Sequence, residues 1–220
     1  MHKVLRTLII SDLFIVGSFG LIQPIFAVFL LKGISDATVF GIGIALAIQL
    51  LTKSLFQILI GRWDDAEPGN RRELLTLIIG SFLIAITPFG YAAASSMLFI
   101  YGFQIIYGIG GALSFPSWRI MFTRYAHQEK EGYEWSVYDT IISLATAVTA
   151  AIGGYIAQVY SFRYLFVFVG CMSIIGAGFI ITIFKNEFTT LPKWGAMMDE
   201  RKKRVSRPRK KTGAKKKKKV

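Results

Sequence analysis

Gln49, Lys53 and Gln57 stand four residues apart inside the apolar run LAIQLLTKSLFQILI. In a helix that spacing sets the three side chains in one stripe on one face. Such a stripe can recognise a polar solute, with two amides that donate and accept and an ammonium that attracts an anion. Lys53 precedes Gly61 by eight residues, about 12 Å of helix, which is too deep for easy snorkelling. A buried lysine costs about 3 kcal/mol unless it faces water or an anionic partner. Two readings therefore stand: a cavity-lining cation that recognises an anionic substrate group or pairs with Asp12 or Asp139, or a structural ion pair with no substrate role. Asp12 and Gln23 are eleven residues apart and share a face after three turns; Asp12 fits a cavity wall and a helix interface equally well. Gln104 precedes a glycine run, and Asp139 precedes Ser143 and Thr146. Asp139 lies in a first helical turn, where an acid complements the helix dipole, and that role is favoured over a site role. The candidate cavity set is Asp12, Gln23, Gln49, Lys53, Gln57, Gln104 and Asp139.

These residues need helices to hold them, and the composition says where. Hydrophobic residues make up 53% of the 220 and the mean hydropathy is +0.50, too apolar for an ordinary soluble domain. Six stretches, near 5–31, 39–61, 73–94, 97–122, 135–159 and 163–185, supply the roughly 20 apolar residues that a membrane-spanning helix requires. Helix is the only open structure that satisfies its backbone in lipid, so an all-α membrane protein is expected. Spans 1, 2, 4 and 5 carry polar residues, whereas spans 3 and 6 are almost wholly apolar. That repeat predicts two three-helix units around a polar centre, with spans 3 and 6 kept outside against lipid. The glycines of GIGGA and IGG, and Gly17, Gly20 and Pro24, read first as close packing and second as hinges. Trp118, Tyr125, Tyr133 and Trp135 read as interfacial anchors, and Cys171 as a small core residue.

Charge orients the bundle. The connections after spans 1, 3 and 5 carry Lys32 and Arg163; the other side carries Lys3, Arg6, Arg62, Arg71, Arg72, Arg119, Arg124 and Lys130. The excess places both termini in the cytoplasm, in a multi-pass protein of the cell membrane. Within GRWDDAEPGNRR, residues 61–72, six of twelve positions are charged and of both signs. Pro68 and Gly69 turn the chain, and Asp64 or Asp65 can meet helix N-termini and basic side chains as a charged latch. The plainer alternative is a solvated turn that only sets topology. A single cysteine excludes an internal disulfide, and His2 and His127 leave little for a metal, so no metal or cofactor is expected. The absence of GxSxG, HExxH and a phosphate-binding glycine loop argues against an enzyme.

The loop Gly61, Asp65, Gly69, Arg71, Arg72 resembles the signature of the major facilitator superfamily between its second and third helices. YGFQIIYGIGGALSFPSW is similar to the family's fourth helix, and AAIGGYIAQVYSFRYLFVFVG to its passage from the fifth to the sixth. The resemblance covers nearly all of residues 5–185 and implies an N-terminal six-helix half of a twelve-span fold. It also implies that the latch, with Asp64 among its acids, is made in one transport state and broken in another. Gln104 stands where many members have an arginine linked to proton coupling. Thr149 and Ala150 stand where antiporters carry a glycine-proline kink. These departures argue against a proton antiporter of the usual kind.

The expected organisation is a six-helix domain over 1–186 and a disordered polybasic tail over 187–220, which holds anionic lipid or binds nucleic acid non-specifically. The function expected is transport of a small solute by alternating access, in a half-size protein that works as a homodimer or with a second half. The alternatives are a membrane anchor whose tail gathers lipid or nucleic acid, and a fragment of an interrupted transporter frame.

Overall fold

The computed structural model describes residues 2–66, 70–127 and 129–187. Gly69 and the polybasic segment 188–220 lie outside them, as do the side chains of Asp65 and Arg71. Among the described residues there is helix and no strand. The helices are α1 (Lys3–Phe19), α2 (Phe26–Gly33), α3 (Val39–Ala66), α4 (Asn70–Ala93), α5 (Met97–Tyr125), α6 (Glu131–Val159) and α7 (Phe162–Glu187). A 3-10 turn, Gln23–Ile25, joins α1 to α2 within one membrane-length unit, Lys3–Gly33. Six helical units are thus long and apolar enough to span a bilayer.

Span 1 is broken where the sequence places Gly20 and Pro24. Proline has no backbone N–H and cannot continue the hydrogen-bond ladder, so the chain turns through Gln23–Ile25 before α2 resumes. The break is braced from α6. Thr149 Oγ1 donates to the Gly17 carbonyl at 2.7 Å, and a side chain at Gly153 would meet the Leu21 carbonyl at 2.0 Å. That backbone-on-backbone approach admits glycine alone.

Neighbouring helices pack in the order α3, α5, α4, α7, α1, α6, with α1 also touching α5. The order reads the same backwards when α1 exchanges with α5, α3 with α6 and α4 with α7. Helices α4 and α7, expected at the lipid margin, occupy the middle of the row. Each still presents one apolar stripe, Leu75, Ile79, Phe82 and Ile86 on α4 and Phe168, Ile174, Ile175 and Ile181 on α7. They reach the middle because small residues let backbones close: a Cβ on Gly80 would sit 2.6 Å from the Gly110 carbonyl across the α4–α5 contact. Ser11 donates to the Gly176 carbonyl at 2.9 Å, and Ser18 and Ser173 lie 3.2 Å apart, joining α1 to α7.

The two ends of the bundle are tied differently. At the end carrying Lys32 and Arg163, orphaned helix termini are capped across the structure. Asp36 accepts from the Met97 N–H at the start of α5, at 3.1 and 3.2 Å, and Arg163 Nε donates to the Ala92 carbonyl at the end of α4. At the basic end a group of aromatic rings joins α5 to α6. Trp118, expected at an interface, is buried against Phe122 and Tyr138, with ring centres 4.9 and 4.7 Å away. Trp135 closes on Phe122 at 4.2 Å. Trp118 goes inward because α5 meets α1 and α6 there, and its apolar ring fills the gap. Cys171 departs in the opposite sense: it stands exposed on α7, not in the core.

Candidate functional site

A cavity of about 310 Å³ opens where the break in span 1 faces α3, α4 and α5. Its walls are mostly apolar, from Ile15 and Phe19 of α1 to Ile84 of α4, and three amides converge on it: Gln23, Gln49 and Gln104. Each arrives for a local reason. Gln23 sits in the 3-10 turn that Pro24 enforces. Gln49 is brought in by the close α3–α5 contact, where a Cβ on Gly108 would lie 2.7 Å from the Gln49 carbonyl. Gln104 is 2% exposed, and its Oε1 has no hydrogen-bond partner among the described residues. Tyr91 and Tyr107 complete the polar lining, and Tyr107 stacks on Phe19 at 5.4 Å. Concave, apolar walls with a few converging amides and hydroxyls suit a small polar solute.

The structure brings together three of the seven sequence candidates and disperses the others. Asp12 is engaged across the α1–α6 contact, accepting a 2.8 Å hydrogen bond from the Tyr138 hydroxyl. Asp139 is exposed on α6. Lys53 runs its stem along Gly111, 3.4 Å from where a Cβ would stand, and holds its ammonium 4.2 Å from the centre of the Phe115 ring. No carboxylate among the described residues pairs with it, so the ion pair with Asp12 or Asp139 is not formed. Gln57 lies partly buried one turn further along the same stripe. Helix α6, expected to line the cavity, contributes none of its wall, and α4 takes that place through Ile84 and Tyr91. The substitution follows from packing order, since α4 touches α5 while α6 is held at the end of the row by α1.

At the basic end the described part of residues 61–72 ties helices together through Asp64. Asp64 is fully buried and accepts from the Ser117 hydroxyl of α5 at 2.7 Å and from Thr76 Oγ1 of α4 at 3.5 Å. Thr76 and Ser117 lie 2.7 Å apart, so one carboxylate joins three helices. Hydroxyls are among the groups it meets. Arg72 lies over the Trp63 ring at 5.2 Å. Gly61 stands in open space on α3, with no neighbour crowding it. Gly69, and the side chains of Asp65 and Arg71, lie outside the described residues. A second tie was not visible in the sequence: Arg124 of α5 forms a forked ion pair with Glu73 of α4, both nearly sealed from solvent. Charge counting read Arg124 as a topology signal, and nothing within its own segment points to a partner 51 residues away.

No curated protein matches the chain. A family model described as Major Facilitator Superfamily matches residues 8–218. That span, taken with six membrane-length helices, identifies the chain as multi-pass and as one of a family that moves small solutes across a bilayer: it belongs to the major facilitator superfamily.

Proposed function

We propose that the chain forms a six-span transport unit that binds a small polar solute in the cavity among spans 1 to 4 and exposes it alternately to the two sides of the membrane. The observation that carries the reading is the convergence of Gln23, Gln49 and the buried Gln104 on one apolar-walled cavity beside a broken helix. Membrane helices break where the freed backbone is buried in protein or lines a cavity, and this break does both, braced by Thr149 on one side and facing the cavity on the other. The basic end, with Asp64, Glu73 and Arg124, is the cytoplasmic one by charge bias. The Asp64 clasp would hold α3, α4 and α5 together in one access state and release them in the other.

A partner completes the reading. Helices α3 and α6 stand at the ends of the row and leave long apolar faces uncovered, Leu46, Leu50 and Leu55 on one and Leu144, Val148 and Ile152 on the other. The palindromic packing order supports two three-helix repeats, a unit suited to pairing with a second six-helix body. A homodimer is the simplest such pair. The mass of the purified chain in lipid nanodiscs is expected to be that of two copies, and a strictly monomeric particle would refute the homodimer.

Alternating access is testable before any substrate is known. Leu46 lines the cavity, and Leu46→Cys on a Cys171→Ser background supplies a single thiol there. A membrane-impermeant maleimide applied to oriented vesicles is expected to label it from either side. Labelling from one side alone would favour a static anchor and reject the transport cycle.

A further inference from the structure

One turn beyond Gln49, on the basic side of the cavity, the cation of Lys53 and that of Arg119 attend the same aromatic ring. Lys53 Nζ lies 4.2 Å from the centre of Phe115, and the Arg119 guanidinium carbon lies 4.3 Å from it. The two residues come from different helices, α3 and α5, and are aligned by the closeness of those helices at Gly111. Phe115 is 38% exposed and Arg119 is exposed as well, so the pair faces outward from the bundle. No carboxylate among the described residues pairs with either cation, whereas Arg124, one turn and a residue further along α5, has Glu73.

Two like charges on one ring repel each other, most strongly where water is scarce. The ring quadrupole attracts each cation but offsets only part of that repulsion. Turned toward hydrocarbon, either charge would be costly. The arrangement becomes favourable when an anion bridges the ammonium and the guanidinium, the latter presenting a fork suited to two oxygens. The cavity begins one turn away at Gln49, about 6 Å along the helix. Lys53, Phe115 and Arg119 lie outside the cavity wall, so a solute must extend about one helical turn beyond Gln49 to bring a charged end group to the pair.

We propose that Lys53 and Arg119 form an oxyanion subsite over Phe115, and that the transported solute carries a carboxylate or phosphate which it recognises. The substrate class rests on the transport reading above; the subsite itself does not.

The test uses the full chain in nanodiscs of phosphatidylcholine and, separately, in nanodiscs that also contain phosphatidylglycerol. Inorganic phosphate, succinate and choline are titrated by calorimetry, and retained lipid is read by native mass spectrometry. Saturable binding of phosphate or succinate, but not choline, is expected, weakened roughly ten-fold or more by Lys53→Gln and by Arg119→Gln. Lys53→Arg and Arg119→Lys keep the charge and are expected to retain binding, which separates loss of the anion from loss of the fold. If the wild type instead retains phosphatidylglycerol and both neutral variants release it, with no soluble anion bound, the oxyanion subsite stands and its assignment to the substrate falls. Equal binding of every probe and lipid by wild type and variants overturns the subsite. The labelling of Leu46→Cys is unaffected by that failure, so the transport reading is judged separately.

Discussion

Arg124→Met is expected to destabilise the protein by about 3–5 kcal/mol, the usual cost of removing one partner from a buried ion pair. The reason lies on the other helix. Glu73 is 2% exposed in the first turn of α4, and Arg124 is its partner. With the guanidinium gone, the carboxylate must remain charged without a counter-ion, take up a proton, or drag the start of α4 toward water. The pair as a whole contributes far less than its rupture costs, because both charges were dehydrated to form it. Combining Arg124→Met with Glu73→Leu is therefore expected to recover most of the loss. Thermal melting in detergent, followed by circular dichroism, gives the four corners of the cycle. A double variant as unstable as Arg124→Met would show that the arginine acts through packing or its other contacts rather than through Glu73.

Gln104→Leu is expected to separate stability from transport. An acceptor buried without a partner costs about 1–3 kcal/mol, and the Gln104 Oε1 is such an acceptor. Leucine is close in volume and removes that cost, so the variant should melt higher by about 2–4 °C per kcal/mol regained in a chain of this size. Transport by the same variant, measured as uptake into proteoliposomes of the solute that an uptake screen identifies, should fall by at least an order of magnitude. A site that hydrogen-bonds its substrate loses that much when one polar partner is deleted. Protein engineering often meets this exchange, in which an active site keeps an unfavourable group because the ligand satisfies it. A variant that melts lower and transports normally would make Gln104 a structural residue.

The clasp at residues 61–72 shows how far local sequence reached. Charge of both signs between two apolar spans pointed to a latch or to a solvated turn, and Asp64 is found buried against hydroxyls of α4 and α5. Its hydroxyl partners were not foreseeable, since Ser117 lies 53 residues away and serine is common in any membrane helix. The same holds for Asp12, whose partner Tyr138 is 126 residues distant.

The sequence by itself determined the all-helical class and the six spans, because the bilayer enforces them residue by residue, and its loop and helix motifs carried the family. A span needs a fixed length of apolar side chains, and a backbone in lipid must satisfy itself within one helix. Spacing of four residues likewise determined that Gln49, Lys53 and Gln57 share a stripe. Which helices face one another was decided only by tertiary structure. Bringing backbones together depends on small residues meeting across helices, Gly80 on Gly110 and Gly108 on Gln49, and such pairings leave no periodic mark in a single chain. They put α4 rather than α6 beside the cavity, kept Gln104 and two tyrosines there, and set Lys53 and Arg119 on one ring.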